Sequence, residues 1–161
     1  KFYDGEGLPE RRRRKLVFGP HVFPSLPASY RPPERNDLVF VGFMKGSRRE
    51  RVIRDIREFD THVVDVGTYH DKLRETIARH AAVLNIHFEE GVYSEIPRLL
   101  TSYLCGKPLV SERLCSTFQP GEHYHLLGSD GELRGAELFR NLSALVTRRY
   151  TFRAFLEDCL Q

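Results

Sequence analysis

The chain has 161 residues, 40% hydrophobic and 29% charged, the make-up of one globular domain with a substantial core. No apolar run approaches the roughly 20 residues that a membrane-spanning helix needs. The net charge of +3 is uneven: residues 1–36 carry an excess of four positive charges, centred on Arg11-Arg12-Arg13-Arg14-Lys15.

That basic run suits an anionic membrane surface or phosphate, but a solvated linker or exposed tail is the favoured reading. Cys105, Cys115 and Cys159 form no CxxC pair, which argues against a disulfide framework and for a reducing, cytoplasmic compartment. Cys105 and Cys159 fall on apolar helix faces and read as small buried hydrophobes. The chain opens on Lys1 with no signal-peptide pattern, so a fragment or trimmed chain is expected.

Residues 1–36 hold most of the prolines and read as a linker or edge segment, with one short strand over Lys15–Phe23 interrupted by Pro20. The domain proper is expected over 37–161. Leu38–Phe43 is an apolar run ending beside glycine, the pattern of a buried strand. Ser47-Arg48-Arg49-Glu50 matches a capping box, followed by a helical stripe of Val52, Ile53, Ile56 and Phe59. His62–Val66 reads as a strand stopped by Gly67, Leu73 and Ile77 mark a helix, and Ala81–Ile86 is a third strand.

Ser94 is placed to cap the next helix, with Pro97 in its first turn and Ile96, Leu99, Leu100, Tyr103 and Leu104 as its buried face. Gly106 fits the residue after the C-cap, and Pro108–Ser111 opens a fourth strand. His123–Leu127 is a fifth strand. Ser129 or Asp130 caps a helix carrying Leu138, Leu142, Leu145 and Val146, and Thr151 caps a last helix with Phe152, Phe155, Leu156 and Cys159 inward. The alternation predicts an α/β fold, a Rossmann-like parallel sheet with helices on both faces.

In such a sheet the residues after each strand form the ligand edge. After the first strand come Gly42, Lys45 and Arg48, where glycine admits close approach and a helix N-terminus follows. A plain strand-to-helix turn is the competing reading. After the third come His87 and Glu90, and after the fourth Glu112. Glu95 and Arg98, one helical turn apart, read either as a surface ion pair or as a phosphate and hydroxyl site. His123 and His125 lack partners at ligand spacing, so no metal site is expected.

Leu84-Asn85-Ile86-His87, Glu95, Arg98, Cys105-Gly106 and Ser111-Glu112 together resemble the C-terminal, donor-binding half of GT-B glycosyltransferases, of the family-1-like or spore-maturation-protein-like branch. Asp37–Gly42, Phe118–His123 and Tyr150–Arg153 extend the resemblance over about residues 37–160. It implies a nucleotide-sugar donor as substrate, with no bound metal or cofactor. Gly42, Lys45 and Arg48 would approach the diphosphate. Glu90, Glu95 and Arg98 would sit near the sugar and phosphates, with Glu95 or Glu112 on the ribose. His87 is a candidate binding residue that closes its strand as a hydrogen-bonding group, with a packed histidine as the commoner reading. Thr101 stands where many relatives carry a ribose-binding glutamate. The resemblance also implies a partner N-terminal half with the acceptor site and catalytic base. The acceptor, whether sugar, lipid-linked or protein, is left open. The competing readings are a non-catalytic or degenerate binding module, an epimerase-like nucleotide-sugar enzyme, and a binder of anionic membrane or nucleic acid through Arg11–Arg14.

Overall fold

A computed structural model describes residues 21–44, 48–64, 67–89 and 95–160. The elements run β1 (Leu38–Val41), α1 (Arg48–Asp55), β2 (Thr61–Val64), α2 (His70–Arg79), β3 (Ala82–Asn85), α3 (Ile96–Leu104), β4 (Leu109–Ser111), β5 (His125–Leu126), α4 (Gly135–Arg149) and α5 (Phe152–Cys159). The five strands form one all-parallel sheet in the order β2-β1-β3-β4-β5. This is the Rossmann-like α/β architecture that the alternation predicts.

The period of two along the strands sorts the core into two layers. Leu38, Phe40, Ala82, Leu84 and Val110 pack on one face with Val52 and Ile53 of α1. Val39, Val64, Val83 and Leu109 pack on the other with Ile77 of α2, Leu99 and Tyr103 of α3, and Leu142 and Val146 of α4. Burial on both faces explains why the central strands are continuous apolar runs. No helix among the described residues is long and apolar enough to cross a membrane.

The core extends upstream of Asp37. Residues 21–36 lie as a strap against α3 and the C-terminal end of α2. Phe23 is buried edge-on against Tyr103, with ring centroids 5.4 Å apart, and bridges to Thr151. Further along, the Tyr103 hydroxyl accepts from the Ala28 N–H at 3.0 Å, and the Gly106 carbonyl accepts from Arg31 N–H at 2.9 Å. Lys107, fully buried, donates from Nζ to the carbonyls of Arg31 at 2.9 Å and Pro32 at 3.2 Å.

Several expected details differ. The fifth strand shrinks to His125–Leu126, because His123 turns its Nδ1 back to accept from the Gln119 N–H at 3.0 Å. α4 starts at Gly135, not near Ser129 or Asp130, with Arg134 at its N-cap and no side-chain cap. Ile56 and Phe59 lie beyond the end of α1 yet still pack on the sheet. Leu104 is 44% exposed because the α3 surface it faces is uncovered. On α5, Thr151 caps as expected, accepting from the Ala154 N–H at 3.0 Å. Its apolar stripe is only partly inward: Phe155 is half-buried beside the His21 ring, with centroids 5.5 Å apart, while Phe152, Leu156 and Cys159 are exposed. Lys15–Pro20, Ser47, Asp65, Val66 and Ser94 lie outside the described residues.

Candidate functional site at the carboxyl edge of the sheet

β1 leads through α1 outward to β2, whereas β3 leads through α3 the other way to β4. The two connections part between β1 and β3, and such a topological switch point is where parallel sheets bind ligands. Gly42 follows β1, Ile86 and His87 follow β3, and Glu112 follows β4.

Three arginines converge there. Arg98, on the first turn of α3, reaches across the sheet end. Its Nε donates to the Val41 carbonyl at 3.2 Å, and its Nη1 donates to Asn85 Oδ1 at 2.8 Å and to the Ile86 carbonyl at 3.3 Å. Its guanidinium stands 4.9 Å from the centre of the Phe40 ring. Asn85 is held in turn by donating from Nδ2 to Ser111 Oγ at 2.8 Å. Gly42 adopts φ +150°, and a β-carbon there would lie 3.0 Å from Arg98 Nη2, so the glycine makes room for the guanidinium. Burial, opposed by Glu95 and reinforced by Arg49, lowers the Arg98 pKa to about 10, which still leaves it charged at neutral pH.

Arg49, buried on α1, donates from Nε to the Ile86 carbonyl at 3.0 Å and pairs through Nη2 with Glu95 Oε1. Glu95 Oε2 meets Arg98 Nη1 at 2.6 Å, and Glu95 Oε1 also accepts from the Phe88 N–H at 3.0 Å. Arg48 grips Glu112 with both Nη atoms, one of them at 2.9 Å, and donates to the His87 carbonyl at 3.3 Å. Glu112 Oε2 accepts from the His87 N–H at 2.8 Å. Burial tends to raise the Glu112 carboxyl, but Arg48 and the His87 amide hold it below its ordinary range.

His87 is buried. Desolvation lowers its pKa, partly offset by Glu112 and Glu95, so the ring is neutral at neutral pH. Its Nε2 has no hydrogen-bond partner among the described residues. Among the described ion pairs of this edge, three arginines face two glutamates.

The structure therefore brings Gly42, Arg48, His87, Glu95, Arg98 and Glu112 to one edge. Lys45 and Glu90 lie outside the described residues. The Glu95–Arg98 pair is present, but it is buried and shared with Arg49 rather than lying on the surface. Thr101 turns its hydroxyl back to the Pro97 carbonyl, donating at 2.8 Å.

Two residues matter more than their sequence positions announced. In the sequence Arg49 is only a member of the Ser47–Glu50 stretch, and Asn85 only part of a motif. The available signal was the asparagine closing a buried apolar strand, because a buried amide needs partners. His123 and His125 do not join the site: His123 holds its own turn, and His125 meets the Phe59 ring edge-on. Among the described residues no group of three His, Cys, Asp or Glu side chains is placed to hold a metal ion. No family model, curated protein or solved structure matches the chain.

Proposed function

We propose that this domain binds a nucleotide-activated sugar, with the diphosphate against the β1/β3 crevice, as the donor half of a GT-B-type glycosyltransferase. The observation that carries the reading is the gathering of Arg48, Arg49 and Arg98 around two carboxylates beside the start of α3. Buried guanidinium groups hold planar forks toward an oxyanion, and the helix N-terminus adds favourable potential. Catalysis in this reading is positioning of the donor and electrostatic stabilisation of the departing nucleoside diphosphate. Transfer itself then requires a second α/β half carrying the acceptor.

The test is calorimetric titration of nucleoside diphosphates and their sugars into the wild type and Arg48→Ala. Arg48 is the partly exposed member of the trio, so its loss perturbs the sheet end least. Binding weakened about tenfold or more in the variant is expected. A wild type that binds none of the panel would remove the reading.

A second reading, a binding module without transfer chemistry, is favoured by one observation. Glu95 and Glu112 are both engaged by arginines instead of being open to sugar or ribose hydroxyls. Release of nucleoside diphosphate from a bound donor, by the chain joined to its second half, would decide against it.

A further inference from the structure

We propose that the Glu95 carboxylate is an exchangeable internal anion, seated in a cradle built for an oxyanion and displaced when a phosphate group binds. The proposal rests on the anion-site reading above and concerns the regulation of that same site.

The donors around Glu95 are those a phosphate takes. Oε1 accepts from Arg49 Nη2 and from the Phe88 N–H at 3.0 Å, while Oε2 meets Arg98 Nη1 at 2.6 Å. Two guanidinium groups and a backbone amide converge on one small anion.

The cradle also stands without its occupant. Arg49 is held by the Ile86 carbonyl, and Arg98 by the Val41 and Ile86 carbonyls and by Asn85. Both guanidinium groups lie against the Phe40 ring, at 5.8 and 4.9 Å from its centre. Withdrawing the carboxylate therefore leaves both cations in position.

Glu95 itself is held under strain. At the N-cap of α3 it adopts φ +20° and ψ +60°, a conformation that non-glycine residues avoid, and it makes no side-chain cap. In the exchange, leaving the ion pairs would let this backbone relax.

Neutralising any carboxylate beside the site relieves repulsion of inorganic pyrophosphate, so Glu95→Gln strengthens its binding in either case. The charge-keeping Glu95→Asp separates the two: a carboxylate that only serves sugar or ribose hydroxyls leaves pyrophosphate binding unchanged when shortened, whereas an internal competitor drawn back from the cradle strengthens it. The experiment is calorimetric titration of inorganic pyrophosphate into the full chain as wild type, Glu95→Gln and Glu95→Asp, with circular dichroism to check the fold.

The expected result is about tenfold or more tighter binding by Glu95→Gln, with Glu95→Asp between it and the wild type. A folded Glu95→Gln that binds equally or more weakly overturns the exchange while leaving the anion site standing. If neither the wild type nor a variant binds pyrophosphate, the anion site itself falls and the exchange with it. Glu95→Asp decides: tighter binding than the wild type supports the exchange, and equal or weaker binding overturns it.

Discussion

Buried charge is the recurrent feature at the residue scale, and each instance has at least one partner distant in sequence. Lys107 shows this most simply. Its Nζ is fully buried and donates to two strap carbonyls, and desolvation, partly countered by Glu34, lowers its pKa to about 8 from 10.5. Between these values the unfolded chain binds the proton more tightly than the folded one. Stability contributed at this site therefore rises with pH from about 8 to 10.5. Urea midpoints measured across that range should climb for the wild type relative to Lys107→Met. The comparison is needed because burial raises Cys105 and Tyr124, whose titration acts in the opposite sense. Parallel pH profiles for the two proteins would show that Lys107 does not titrate there. The sequence offered Lys107 only as a residue between Gly106 and Pro108, since its acceptors lie more than 70 residues upstream.

At the scale of elements, α3 and its exit connect stability to the site. Pro97 sits in the first turn of α3, and Gly106 follows its C-cap with φ +73°. A β-carbon on Gly106 would lie 2.3 Å from the Ser29 carbonyl oxygen, so the glycine both ends the helix and admits the strap. Gly106→Ala is expected to cost at least about 2 kcal/mol, because strain at positive φ adds to a backbone clash. A chemical denaturation curve within about 0.5 kcal/mol of the wild type would contradict that account. The stop itself was legible in Cys105-Gly106-Lys107-Pro108, but the clash was not. By contrast, the apolar stripe of α5 was legible and its burial was not. Period 3.6 identifies a face that suits a neighbour, and Phe152 and Leu156 are exposed because no described neighbour covers them.

At the scale of the molecule, the strap joins elements that the sheet leaves separate. Phe23 inserts beside Tyr103 of α3, its backbone N–H donates to the Tyr150 carbonyl at 3.1 Å, and Thr151 begins α5. Phe23→Ala should lower unfolding stability by about 3 kcal/mol or more, through lost burial and a residual cavity. Amide exchange at Ala28 and Arg31 should quicken in parallel, since both hydrogen bonds depend on the strap staying seated. A change under about 1 kcal/mol with unaltered exchange would mean that the strap is not anchored there.

The sequence by itself determined the alternation of strands and helices, the parallel sheet and the set of polar residues delivered to its carboxyl edge. Those follow from local signals: period-two and helical apolar spacing, glycine stops and proline placement. Gly42, His87, Arg98 and Glu112 meet at one edge because every parallel strand ends on the same side. Only the tertiary structure decided the strand order, the seating of Phe23 and Lys107, and the pairing of the site charges. Arg49 with Glu95 and Arg48 with Glu112 span 46 and 64 residues. Which cation meets which carboxylate depends on how α1 and α3 settle on opposite faces of the sheet. That geometry is set by packing in three dimensions, and no periodicity along the chain encodes it.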